Sequence, residues 1–64
     1  MKLKTLLSTM ESVPYMILGK SGYMLEEDYV RSDGYYETNF GEYKVIKIKT
    51  YSGCEQLFIT IKDY

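Results

Sequence analysis

The sequence predicts an α+β fold in which one N-terminal helix packs on an antiparallel sheet of about four strands that ends in a C-terminal β-hairpin. Three patterns predict this class: apolar residues at helical spacing near the start, two short apolar segments joined by a glycine turn, and strict apolar alternation near the end. A chain of 64 residues is the size of one small domain, so residues 1–64 are expected to fold as a single unit.

The helix is predicted over residues 2–12. Its apolar residues recur at positions i, i+3, i+4 and i+7, which places them on one side of a helix. Pro14 follows this segment and ends it, because the residue before a proline is pushed out of the helical region. The apolar stripe that should cover the sheet consists of Leu3, Leu6, Leu7 and Met10.

Two strands are predicted after the helix, at residues 15–18 and 23–25. Between them, Gly19 and Gly22 flank a lysine and a serine, a pattern typical of the tight turn of a hairpin. We therefore expect these two strands to pair with each other.

The C-terminal hairpin is predicted from strands at residues 43–51 and 56–62, where alternation separates a core face from a polar face. Aligning like faces leaves a short loop at residues 52–55, a normal length for a hairpin. The predicted pairs are Tyr51 with Gln56, Lys49 with Phe58, Lys47 with Thr60 and Val45 with Lys62. The predicted core face consists of Ile46, Ile48, Leu57, Ile59 and Ile61.

Composition restricts the chemistry. The chain has no histidine and a single cysteine, Cys54, so it offers neither the commonest general base nor a set of zinc ligands. We therefore expect a protein that is not an enzyme and that binds no cofactor or metal. A lone cysteine is also typical of a reducing, cytoplasmic setting. No apolar stretch approaches the roughly 20 residues of a membrane-spanning helix, so no membrane partner is expected.

Residues 26–42 are the most unusual part of the chain. They hold six acidic residues and one arginine, a charge of −5, whereas the whole chain carries −1. They show no sustained period, and both a helical turn near residues 28–31 and a strand near residues 34–38 fit the pattern. Irregular segments of this length are uncommon in compact domains and often functional, and the many aromatic residues argue against disorder.

An acidic and aromatic segment of this kind favours contact with another protein, because tyrosine combines a rigid apolar ring with a polar tip. We therefore predict a small non-enzymatic binding module that acts by occupying a partner protein. Its predicted contact residues are Glu26, Glu27, Asp28, Tyr29, Tyr35, Tyr36 and Phe40.

The polar face of the C-terminal hairpin supports two alternatives. Aromatic rings interleaved with lysines on a sheet can stack bases and neutralise phosphates, which predicts binding of single-stranded nucleic acid. The acidic net charge and the absence of arginine from this face disfavour nucleic acid. The same face can instead join two copies in a homodimer, the expected oligomeric state. The residues concerned are Lys47, Lys49, Tyr51 and Phe58.

The layout resembles that of short uncharacterised proteins encoded by phages and mobile elements of Gram-positive bacteria. Three motifs carry the resemblance: the K-L-x-x-L-L opening, V-x-x-I, and the terminal L-x-I-x-I-K. The matching positions are Lys2, Leu3, Leu6, Leu7, Val45, Ile48, Leu57, Ile59, Ile61 and Lys62. The resemblance implies a context and no functional residue: some small phage proteins act as stoichiometric inhibitors of host systems, including anti-CRISPR proteins.

Overall fold

The structure is a computed structural model that describes residues 1–63. One short helix precedes four strands along the chain. The elements are α1 (Leu3–Leu7), β1 (Val13–Leu18), β2 (Met24–Val30), β3 (Val45–Lys49) and β4 (Leu57–Ile61). The predicted α+β class, with one N-terminal helix on a four-stranded sheet, is confirmed.

The four strands form one sheet in the order β2-β1-β4-β3. The pairs β1–β2 and β3–β4 are antiparallel, as two hairpins require, but the central strands β1 and β4 run parallel. The sheet is therefore mixed, and the prediction of a purely antiparallel sheet was wrong at this central pair. The cause lies between the hairpins, where the long connection from β2 to β3 lets the second hairpin dock with β4, not β3, beside β1.

The helix is shorter than predicted. α1 ends at Leu7, because the hydroxyls of Ser8 and Thr9 donate hydrogen bonds to the carbonyl oxygens of Thr5 and Leu6 and so compete with further helical turns. Its apolar stripe nevertheless faces the sheet: Leu3 and Leu7 are fully buried, and the remaining stripe residues pack against the core. The predicted role of the stripe is thus confirmed over a shorter helix.

Strand β2 is longer than predicted, running from Met24 to Val30 where only residues 23–25 were expected. It pairs along its length with β1, from Val13 opposite Val30 to Leu18 opposite Met24. Both predictions for the acidic segment were wrong, since residues 28–30 belong to this strand and residues 34–38 form no strand. Charged residues hid the strand, because cross-strand backbone pairing and not apolar alternation holds it in place.

The C-terminal hairpin has the predicted register at its centre, but both of its strands are shorter than predicted. The predicted pair Tyr51–Gln56 lies outside the paired strands. Lys49 pairs with Phe58 and Lys47 with Thr60, as expected. A bulge at Ile46 then shifts the register, so that Val45 pairs with Ile61 and not with Lys62. The extra residue turns Val45 toward the core, against which it packs.

Three of the five residues predicted for the hairpin core are correct. Ile59 and Ile61 are fully buried and Leu57 packs against the core, but Ile46 is 46% exposed and Ile48 is 45% exposed. The prediction failed for these two isoleucines because β3 is an edge strand and the five-residue helix covers the centre of the sheet. The fully buried core consists of Leu3, Leu7, Tyr15, Ile17, Val30, Ile59 and Ile61.

Candidate functional site

The path of the acidic segment is set by a turn that follows β2. Gly34 has a φ of 88°, a conformation that glycine adopts easily, and its amide donates to the carbonyl oxygen of Arg31 at 2.9 Å. The side chain of Asp33 accepts a hydrogen bond from the amide of Tyr35 at 3.0 Å, which tightens the turn. The chain therefore reverses, and residues 35–39 run back beside β2.

Two contacts hold residues 35–39 over the core side of the sheet. The hydroxyl of the fully buried Tyr15 donates to the carbonyl oxygen of Glu37 at 3.0 Å. Two residues further along, the amide of Asn39 donates to the Glu26 carboxylate at 3.1 Å. Residues 35–39 are thus hydrogen-bonded to side chains of both β1 and β2.

A groove lies between β2 and this returning segment. It consists of two adjoining hollows of about 210 Å³ and about 170 Å³, which share Asp28 and Glu37 in their walls. We call it the acidic groove. Its lining consists of Glu26, Asp28, Tyr29, Arg31, Tyr35, Tyr36, Glu37, Thr38 and Asn39.

Negative charge dominates the acidic groove, where three carboxylates face a single guanidinium. The guanidinium of Arg31 lies over the ring of Tyr35, 5.0 Å from its centre. The Tyr35 hydroxyl donates to the Glu37 carboxylate at 2.6 Å, and this hydrogen bond raises the pKa of Tyr35. Within the groove, the Arg31 guanidinium therefore already makes a cation–π contact with a tyrosine ring whose hydroxyl is hydrogen-bonded to a carboxylate.

Two carboxylates of the groove, those of Glu26 and Asp28, also act on the buried Tyr15. Burial, together with the charges of Asp28 and Glu26, raises the pKa of Tyr15 well above its ordinary range. One carboxylate oxygen of Glu26, Oε1, is buried and accepts no hydrogen bond within the described part of the chain. A buried carboxylate oxygen gains strongly from a charged donor.

The predicted protein-contact residues divide between two sides of the sheet. The acidic groove brings together Glu26, Asp28, Tyr35 and Tyr36. Tyr29 borders the groove at the end of β2, but its place opposite Pro14 puts its side chain on the reverse face of the sheet. Glu27 lies opposite Met16 on the reverse face of the sheet and accepts a hydrogen bond from Gln56 at 2.6 Å.

Phe40 and Tyr36, two of the predicted contact residues, take part in the packing of the domain. Both pack against the core. The Tyr36 hydroxyl donates to the carbonyl oxygen of Lys4 at 3.1 Å, so Tyr36 links the segment to α1 while its ring lines the groove. Of the predicted set, Phe40 is therefore a packing residue.

The residues of the nucleic-acid alternative do converge. Lys49 pairs with Phe58, whose ring meets that of Tyr51 edge-to-face with centres 5.0 Å apart. The Lys49 ammonium lies 5.4 Å from the centre of the Tyr51 ring. Lys47 lies on the same face, opposite Thr60. This cluster is on the reverse side of the sheet from the helix and the acidic groove.

Two findings bear on other classes of site. No group of carboxylate or cysteine side chains among residues 1–63 is arranged to hold a metal ion. In the same part of the chain, no helix has the length and apolar character that crossing a membrane requires.

Comparison with known proteins finds no family model, no curated protein and no solved structure that matches this chain.

Sequence reasoning missed three residues that matter to these surfaces. Glu37 and Arg31 line the acidic groove, and Met16 lies at the centre of the reverse face. The turn signal Asp33-Gly34 indicated a reversal, but nothing local tells where residues 35–39 run afterwards. The position of Met16 was readable from the alternation in Y-M-I-L, once that strand is known to be central.

Proposed function

We propose that this protein is a non-enzymatic binding module that occupies a partner protein by receiving a basic side chain in the acidic groove. The observation that carries the proposal is the convergence of Glu26, Asp28 and Glu37 with two tyrosine rings along one concave surface. A concave site with a few convergent polar groups is the first place to look for ligand binding in a structure.

The chemistry of the groove favours arginine or lysine over other side chains. Carboxylates form the strongest hydrogen bonds with a guanidinium, which they can contact through two parallel donors. A tyrosine ring adds about 0.5–2 kcal/mol when a cation lies over its face. Arg31 over Tyr35 is an internal example of the same contact.

The surroundings of the groove fit a contact with a protein surface. Tyr35 is 48% exposed, so its ring can reach a partner. Tyrosine is among the residues that most often dominate binding energy at interfaces. The acidic charge would also speed the approach of a basic partner, and more so at low ionic strength.

The resemblance to phage and mobile-element proteins suggests the first partners to test. An inhibitor of a host system, such as an anti-CRISPR protein, acts in the bacterial cytoplasm by covering a surface of its target. Many nucleic-acid-binding proteins of such systems carry basic surfaces, which an acidic groove would complement.

The proposal is tested by removing charge from the groove without changing side-chain size. The variant Asp28→Asn/Glu37→Gln should lose a partner that the wild-type protein captures from extracts of its host. The matched control is Glu11→Gln, which removes an exposed carboxylate outside the groove and should retain the partner. A titration with an arginine-rich peptide should shift the amide resonances of Asp28 and Asn39 in the wild type alone. Equal capture by both variants would refute the proposal.

A second candidate function is binding of single-stranded nucleic acid through Lys47, Lys49, Tyr51 and Phe58. It is favoured by the observed ring contact and by the lysine that lies over one ring. Its test is fluorescence anisotropy with labelled oligonucleotides, in which binding should weaken steeply with added salt. An unchanged signal at low salt with Phe58→Ala and wild type alike would eliminate it.

A further inference from the structure

The face of the sheet opposite α1 is covered by no described element. The helix and residues 35–43 lie on the other side, where Leu3, Leu7 and Phe40 contact the core. We call the uncovered side the outer sheet face. It carries Pro14, Met16, Leu18, Glu27, Tyr29, Lys47, Lys49, Phe58 and Thr60.

The central row of the outer sheet face has an ordered charge pattern. Strand pairing places Lys49 beside Phe58, Phe58 beside Met16, and Met16 beside Glu27. The row therefore runs from a cation at one edge, through an aromatic ring and a thioether, to an anion at the other edge. The next row also has a lysine, Lys47, at the β3 edge, and it ends in the apolar pair Leu18 and Met24.

We propose that two copies of this chain pack their outer sheet faces together about a twofold axis parallel to the strands. Such an axis lays β3 of each copy over β2 of the other, and β4 over β1. Lys49 then meets Glu27 of the second copy at both rims. In the middle, Phe58 of each copy covers Met16 of the other, a favourable contact between sulfur and an aromatic ring.

Charge selects this axis over the other twofold arrangement. An axis across the strands would set β3 over β3, which opposes Lys47 and Lys49 to their own copies, and like charges disfavour a wrong pairing. Both axes keep the strands of the two sheets nearly aligned, the usual geometry of sheet-on-sheet packing, so charge decides between them. One self-complementary surface thus gives a closed dimer.

The dimensions of the molecule permit this interface. The protein is flat, with extents of 31 × 27 × 17 Å, and the outer sheet face is one of its two broad sides. An interface of standard size takes about 800 Å² from each partner, which is about a fifth of the 4208 Å² surface. The acidic groove lies on the opposite side, so each dimer would present two free grooves.

The first experiment is sedimentation of the wild-type protein over a concentration series. We expect a reversible monomer–dimer equilibrium. Lys49→Glu and Glu27→Lys should each raise the dimer dissociation constant about tenfold, since each replaces two attractive pairs with two repulsive ones. The double variant Lys49→Glu/Glu27→Lys should return to within about threefold of wild type.

The rescue is specific to contact between copies. Lys49 and Glu27 lie at opposite edges of one sheet, three strand spacings or about 14 Å apart, too far to pair within a chain. Glu11→Lys repeats the charge change of Glu27→Lys at an exposed site away from this face and should leave dimerisation unchanged. Circular dichroism confirms folding of each variant.

Three outcomes overturn the proposal. A wild-type protein that stays monomeric at every concentration refutes the dimer. A dimer that the double variant fails to restore refutes the twofold arrangement. A wild-type protein that is monomeric alone and binds a labelled oligonucleotide through Lys49 and Phe58 assigns the face to nucleic acid.

Discussion

Replacing Tyr15 with phenylalanine tests the hydrogen bond that joins the core to the acidic groove, because the ring that packs in the core is kept. The Tyr15 ring is fully buried in the core, and its hydroxyl reaches out to the carbonyl oxygen of Glu37 at 3.0 Å. Tyr15→Phe keeps the ring and removes only this hydrogen bond. The effect of the hydroxyl on stability can therefore be measured without opening a cavity.

The expected loss of stability is about 1–2 kcal/mol. A net hydrogen bond contributes about 1 kcal/mol, and the part-buried Glu37 carbonyl left without its donor adds to the cost. Truncating the whole ring, as in Tyr15→Ala, should cost about 3–5 kcal/mol because it also leaves a cavity. In a domain of this size, Tyr15→Phe should lower the melting temperature by roughly 4–8 °C per kcal/mol.

Urea denaturation measures the free energy of unfolding, and the slope with urea should stay unchanged. The matched control is Tyr43→Phe, whose side chain is 38% exposed and whose hydroxyl should contribute less than about 0.5 kcal/mol. Hydrogen exchange at the Asn39 amide, which bonds to Glu26, should also speed up in Tyr15→Phe. If the two variants are equally stable, the Tyr15–Glu37 contact does not hold the groove.

Three further predictions concern single positions. Hydrogen bonds from Lys2 and Lys4 lower the pKa of Glu42 from 4.5 to about 2, so its contribution to stability is present above pH 4.5 and is lost as the pH falls through about 2. Lys4→Ala should raise that pKa, as read from carboxyl chemical shifts, and an unchanged titration would contradict the pairing. Gly34→Ala should lower the free energy of unfolding, measured by urea denaturation, by about 1 kcal/mol because of the positive φ, and Gly34→Asn should lower it less. Equal losses for the two variants would contradict the positive φ at this turn. Ile59→Ala should lower the free energy of unfolding by about 2–5 kcal/mol, and Ile48→Ala should lower it much less because Ile48 is 45% exposed. Equal losses would place Ile48 in the core.

The strong local patterns predicted their elements well. Alternation in the last strand identified Ile59 and Ile61 as core residues, and the strand pairs Lys49–Phe58 and Lys47–Thr60 followed from matching faces. The glycine-bounded turn correctly joined β1 to β2. These features depend on contacts within one hairpin, where residues that are close in space are also close in the sequence.

The acidic groove was only partly predictable. Its carboxylates and tyrosines stood out by composition, but the alternating directions of side chains along β2 place Glu27 on the outer sheet face and Asp28 in the groove. This division was hidden because residues 26–30 were not recognised as a strand. Glu37 joins the groove only because the chain reverses at Gly34 and returns beside β2.

By itself, the sequence determined the α+β class, the apolar stripe of the helix, both hairpins and the turn at Gly34, because each depends on local spacing and local backbone preference. Only the tertiary structure decided that β1 and β4 are parallel neighbours and that Ile48 lies at an exposed edge. A period of two tells which residues share a face, but not which strand lies alongside or what covers that face. Those choices depend on contacts between distant segments, and the groove and the outer sheet face are both made of such contacts.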